Sequence, residues 1–138
     1  MILDLFLSLP ITFKQTLRVQ CSVFSKDKSF AKKCTLLIDT GASSTSLTRK
    51  FVLMRLKYAD IIKSKMPQLT ATGLVQFDTT IISKIDIAGE FEVSNLQVNI
   101  LEWENSALDG VIGMDILSKL HFHSDTKYFR LQNKPFVL

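Results

Sequence analysis

From Thr79 to Leu101 the chain follows the two-residue period of β-structure. Ile81, Ile82, Ile85 and Ile87 have polar residues between them, an Ala88-Gly89 turn follows, and Phe91, Val93, Leu96, Val98 and Ile100 complete the pattern. Two such stretches joined by a short Gly-containing turn read as a hairpin. Strand signals dominate elsewhere too: Thr12 to Phe24 alternates, Cys34 to Ile38 is a run of core-type residues, and Tyr128 to Leu131 and Phe136 to Leu138 read as closing strands. Two places break the pattern. Thr48 is placed to cap apolar residues at helical spacing, and Asp115, following Gly113, is placed to cap a short helix over 115–120. The expectation is an all-β fold with one or two short helices. With 138 residues, 46% of them hydrophobic, and only 5 Gly and 3 Pro, the chain reads as one domain over 1–138, large enough to bury a core and too short for two.

The net charge of +4 raises the question of an acidic partner, but the basic residues are spread through the chain. The densest set, Arg49, Lys50, Arg55, Lys57, Lys63 and Lys65, is interleaved with apolar residues as on the wet side of a helix and its following loop. No compact basic run with stacking aromatics accompanies it, so nucleic acid is not an expected partner. The N-terminal MILDLFLSLP is apolar but short, carries Asp4 and ends at Pro10; it fits neither a signal peptide nor a membrane span. Residues 1–14 read instead as a terminal strand or a dimer arm. Cys21 and Cys34 face each other if 18–24 and 31–38 form a hairpin turning near Lys26 to Ser29, which makes a cross-strand disulfide geometrically conceivable. Nothing marks the chain for export, so reduced thiols and a cytoplasmic location are the expectation. No Cys/His spacing suits zinc, and His121 and His123 lack a third ligand, so no metal or cofactor is expected.

Thr35-Leu36-Leu37-Ile38 looks like a strand buried on both faces, and Asp39 follows it at once, ahead of Thr40-Gly41-Ala42. An ionised carboxylate there is costly unless several donors meet it. Taken alone, Asp-Thr-Gly is also an ordinary turn in which Asp39 caps its own backbone. About seventy residues later comes Asp109-Gly-Val-Ile-Gly-Met-Asp-Ile-Leu, two β-branched residues followed by Gly and a helix start. Each signal is weak alone; at this separation, in a chain this long, the pair is strong.

With I-D-T-G-A at 38–42, T-A-T-G at 70–73 between polar strands and V-I-G-M-D-I-L at 111–117, the sequence resembles the retropepsin-like aspartic proteases, single-domain enzymes that work as homodimers. The likeness covers roughly residues 15 to 131, and the G-M-D-I-L ending is closer to cellular and bacterial members than to viral ones. The resemblance implies a closed acid-protease β-barrel, homodimeric, that hydrolyses an extended peptide or protein without a cofactor or a membrane. It implies Asp39 as the catalytic residue, Thr40, Gly41 and Ala42 as the active-site loop, and Thr70, Ala71, Thr72 and Gly73 as the flap. In such chemistry one carboxylate takes a proton from water while a second, protonated one donates to the carbonyl oxygen. Two carboxyls held close share one proton and titrate as a pair. Of the Asp-Thr pairs at 39–40, 78–79 and 125–126 only the first is followed by Gly, so the second carboxylate is expected from Asp39 of another copy across a two-fold axis.

Roles for the neighbours follow. Gly41 leaves room between the paired loops, and the resemblance gives Thr40 a hydroxyl reaching the partner loop's backbone, against the plain reading of a turn threonine. Ser43 and Ser44 are open to substrate-facing or solvated roles, Thr70 to Val75 to a mobile flap or a simple hairpin loop. Trp103 is either a strand-edge aromatic or part of a substrate subsite. Viral members typically carry an acidic residue directly after D-T-G-A and an Arg after the later Gly; here Ser43 and Met114 stand there. Without that brace the dimer is expected to draw on the apolar ends, MILDLFLSLP and KPFVL, pairing as edge strands. The competing reading is a catalytically silent dimerisation or peptide-binding module of the same fold. A phosphate-binding loop is disfavoured, because D-T-G-A-S-S-T lacks the Gly density and Lys such loops use and its Asp would repel phosphate.

Overall fold

The computed structural model describes residues 6–10, 17–57, 62–63, 68–70, 73–103, 107–124 and 127–132. Six strands close into a barrel in the order β2 (Arg18–Phe24), β3 (Ala31–Ile38), β10 (Gly110–Ile112), β4 (Ser46–Thr48), β9 (Phe91–Leu101) and β8 (Asp78–Ile87), and β8 returns to β2. The short β5 (Ile62–Lys63) pairs with the start of β8, while β6 (Gln68–Thr70) and β7 (Gly73–Val75) form a separate hairpin. Among the described residues, helical structure is confined to a turn over Phe51–Arg55 and to α1 (Met114–Leu117). The barrel is filled by side chains such as Leu36, Leu47, Ile82, Ile112, Ile116 and Leu117, each nearly or wholly withdrawn from solvent. This mostly β architecture with two short helices matches the sequence expectation.

The β8–β9 hairpin runs in register from Thr79 opposite Asn99 to Ile87 opposite Phe91. Its inward face changes phase halfway: Thr80 and Ile82 are buried before the change and Ile85 and Ile87 after it, with Leu96 and Phe91 doing the same across the ladder. Asn95, left-handed at φ 53°, sits at the change. There too the Ser83 hydroxyl donates to the Ser25 carbonyl at 2.7 Å. Beyond that point β8 leaves β5 behind and pairs with β2, from Val23 opposite Ile85 to Cys21 opposite Ile87. The phase shift is thus where a twisted strand bends to close the barrel.

Cys21 lies directly opposite Cys34 on β2 and β3, as the hairpin reading requires, and both are buried free thiols. The turn between these strands is organised by Asp27, whose Oδ1 accepts from the Ser25 hydroxyl (2.9 Å), the Ser29 hydroxyl (2.7 Å) and the Ser29 N–H (3.0 Å). Those donors pull the Asp27 carboxyl down to about 2.

The helix expected after Thr48 is a single widened turn. Thr48 Oγ1 accepts from the Phe51 N–H at 3.3 Å, and the Leu56 N–H reaches back five residues to the Phe51 carbonyl at 3.0 Å. The turn buries Phe51, Val52 and Leu56 and leaves Leu53 and Met54 in solvent. Asp115 does not cap α1. Gly113 occupies the N-cap and Asp115 lies in the first turn, its carboxylate accepting from the adjacent Ile116 N–H at 2.9 Å and from a second partner described below. β1 (Phe6–Pro10) pairs antiparallel with β12 (Tyr128–Gln132) of its own chain, in a sheet ordered β1-β12-β11 with β11 (His121–Ser124). Part of the N-terminal arm is therefore a strand of the fold itself. The strand expected over 136–138, the K-P-F-V-L end and the Asp-Thr at 125–126 lie outside the described residues.

Candidate active site

β3 and β10 run parallel, with Leu36, Leu37 and Ile38 opposite Gly110, Val111 and Ile112. The Asp39 N–H continues this pairing, donating to the Ile112 carbonyl at 3.0 Å. The chain then turns tightly: the Ala42 N–H donates to the Asp39 carbonyl at 3.2 Å, and the Gly41 N–H donates to Asp39 Oδ1 at 2.8 Å. A Cβ on Gly41 would stand 3.2 Å from that same oxygen, so glycine lets the amide come this near. Asp39 is half-buried and Thr40 exposed. The Asp39 carboxylate borders a cavity of about 240 Å³ together with Gly41, Ala42, Gln68, Asn99 and Trp103. Among the described residues it is the one carboxylate on that cavity's wall.

The second sequence signal braces the first. The Met114 N–H donates to the Ala42 carbonyl at 2.7 Å and the Asp115 N–H to the Ser43 carbonyl at 3.1 Å. The Asp115 carboxylate accepts from the Thr45 N–H at 2.9 Å and the Thr45 hydroxyl at 2.7 Å. Thr45 Oγ1 in turn accepts from the Gly113 N–H at 3.1 Å. A Cβ at Gly113 would fall 2.6 Å from the Ser44 carbonyl group, which explains the glycine between Ile112 and Met114. On the other side of β10, Asp109 Oδ2 accepts from the Thr35 N–H at 3.0 Å. The loop is therefore fixed by bonds within one subunit. Met114 packs against the core, and Ser43 and Ser44 border the cavity.

β6 and β7 pair from Gln68 opposite Val75 to Thr70 opposite Gly73, which places Thr70 and Gly73 on a hairpin beside the cavity; Ala71 and Thr72 lie outside the described residues. Gly73 has φ 118°, a conformation open to glycine alone. The hairpin's root is tied to the barrel by a reciprocal amide pair: Gln68 Nε2 donates to Asn99 Oδ1 at 3.1 Å and Asn99 Nδ2 donates to Gln68 Oε1 at 3.0 Å. Nearby, Arg49 bridges Asp78, at 2.6 Å, and Glu102, at 2.5 Å. Bonds from Glu102 and then Asp78 hold its guanidinium above its ordinary value. Sequence reasoning put Arg49 on a wet helix face and did not single out Thr45, Gln68 or Asn99. The usable signal was Asn99, a polar residue within an apolar alternation.

Among the described residues, no three His, Cys, Asp or Glu side chains converge as a metal site, and no helix is long and apolar enough to cross a membrane. The family model described as "gag-polyprotein putative aspartyl protease" matches residues 31–119, a span holding Asp39, its loop and the bracing Gly113–Asp115 segment. A crystal structure of a retropepsin-like aspartic protease from Rickettsia conorii is similar in fold, with a TM-score of 0.67 at 19% identity over 92% of this chain and 89% of that one. No curated protein matches. A carboxylate held by its own loop at the end of two parallel strands, in a closed six-stranded barrel whose sequence fits that family model, places the chain in the retropepsin-like aspartyl protease family.

Proposed function

We propose that the protein is an aspartic endopeptidase whose dyad is Asp39 of one subunit and Asp39 of a second, assembled as a homodimer. Proteases of this kind typically dimerise and bind peptides. The observation that carries the reading is a cavity whose wall, among the described residues, holds a single carboxylate, set on a loop fixed by its own bonds. Two are needed: the ionised Asp39 takes a proton from water, the water oxygen adds to the peptide carbonyl carbon, and the protonated Asp39 donates to the carbonyl oxygen. Collapse of the tetrahedral species breaks the C–N bond as a proton passes to the leaving amine. Gly41 holds Oδ1 of each aspartate by its N–H, and the exposed Thr40 is free to cross to the partner loop. The substrate lies as an extended strand under the 68–75 hairpin, bonded through its main chain. The proposal includes a cytoplasmic location, where the thiols of Cys21 and Cys34 would stay reduced.

A non-catalytic peptide-binding dimer is the second reading, favoured by Ser43 and Met114 standing where viral relatives place an ion pair. Cleavage of a peptide library across acid to neutral pH separates the two: wild type cuts, and Asp39→Asn does not while sedimenting as wild type does. Mixing equal amounts of the two proteins with subunit exchange should give about a quarter of the activity of wild type at the same total concentration, since only dimers with both aspartates work. Half the activity would mean that each subunit works alone.

A further inference from the structure

Three hollows lie end to end on the surface. The Asp39 cavity shares Leu101 and Trp103 with a second hollow of about 400 Å³, whose floor includes Leu53 and Met54. This one shares Met54 with a third, of about 350 Å³, bordered by Phe30, Lys32, Arg55 and Lys57. The character changes along the track. In the middle, Leu53, Met54 and Trp103 leave apolar surface in water at 39%, 69% and 41% exposure, while the charge of Arg49 is met by Asp78 and Glu102 and the exposed Lys50 adds one cation to the wall. At the far end three cations stand together with no acidic residue among the described residues of the wall. Lys32 lies over the Phe30 ring at 5.7 Å and Arg55 over the Phe51 ring at 5.6 Å; no carboxylate of the described residues pairs with either, or with Lys57. Lys57 is also left-handed, at φ 57°, where glycine is the unstrained choice, so backbone preference does not account for a lysine there.

We propose that this track is an exosite for a distal part of the same peptide that enters the Asp39 cavity: a large apolar side chain in the middle hollow, followed by acidic residues against Lys32, Arg55 and Lys57. The inference rests on reading the Asp39 cavity as the substrate cleft. Each exposed ion pair is weak and screened by salt. Joined to the cleft by one chain, the pairs act together and tighten binding without touching the chemical step.

Trp103 is the chain's single tryptophan, so its emission reports on the wall between cleft and track. The test uses the full Asp39→Asn protein and a labelled peptide carrying Phe followed by four Glu. Binding is expected to change Trp103 emission, and to weaken about tenfold when Gln replaces Glu or in the Lys32→Gln/Lys57→Gly protein. Glycine suits the left-handed position, so that variant keeps its fold, which thermal melting checks. A change under about twofold in either comparison, silence at Trp103, or tighter binding of an oligonucleotide of equal charge overturns the proposal. Appended to a peptide that wild type cuts, the same acidic tail should lower KM about tenfold and leave kcat unaltered. Acidic-peptide binding by a protein that cuts nothing would uphold the track and end the protease reading. Cutting that is indifferent to the tail would do the reverse.

Discussion

At the residue scale, the carboxylate at position 39 is tolerated because its surroundings are divided. Gly41 aims an N–H at Oδ1 from 2.8 Å, while the side chain stays half-exposed on a cavity. That division holds only while the loop keeps its shape, and Asp115 is the residue that keeps it. Asp115→Ala would strip the Thr45 N–H and hydroxyl of their acceptor in a part-buried setting, which should cost roughly 2 to 4 kcal/mol. Urea unfolding at neutral pH measures this, and a loss below about 0.5 kcal/mol would contradict the bracing role. Activity should fall with it, because the Ala42 and Ser43 carbonyls are held from the same segment.

At the element scale, the β2–β3 pair carries a pH signature. Burial, with smaller help from the Asp86 charge, raises the Cys21 thiol to about 12. Burial first, then the neighbouring Cys21 and Asp109, pushes Cys34 up as well. In an unfolded chain thiols ionise near pH 8.5, so above that pH the unfolded state loses protons that the folded state keeps. The thiols' contribution to stability is therefore intact below about pH 8.5 and lost as pH climbs toward about 12. Melting temperatures of wild type should fall more steeply between pH 8.5 and 11 than those of Cys21→Ala/Cys34→Ala, and parallel slopes would contradict the assignment. The strands themselves were legible where burial alternates simply: β9 spans Phe91–Leu101 as its pattern reads. The bend was not, because the shift in phase at Ser83 and Asn95 serves barrel closure, a demand of distant strands that no local window carries. Asp39 and Gly41 were legible because a carboxylate after a core run is locally anomalous. Thr45 and Gln68 look like ordinary polar residues, and only their partners at Asp115 and Asn99 give them a role. Asp115 was misread as the N-cap for a related reason: Gly113 takes that place, and the Asp115 carboxylate is shared between Thr45 and the adjacent Ile116 N–H.

At the scale of the whole molecule, the proposed dyad of two copies would make activity a matter of mass action. Specific activity should rise with protein concentration and level off where sedimentation shows the dimer, and a constant specific activity across a purely monomeric range would contradict the shared site. A different consequence comes from the bracing bonds. Thr45 meets Asp115 across 70 positions of sequence, and Thr35 meets Asp109 across 74. Contacts of such separation form only after long loops have closed, and barrels rich in them fold slowly. A ribosome that has released residues 38–42 has therefore made the motif but not its geometry, which must await Gly113 and Asp115. The order of synthesis thus sets a delay between the appearance of Asp39 and the completion of the loop that holds it, a safeguard by timing that would precede the meeting of two copies which the proposed function requires.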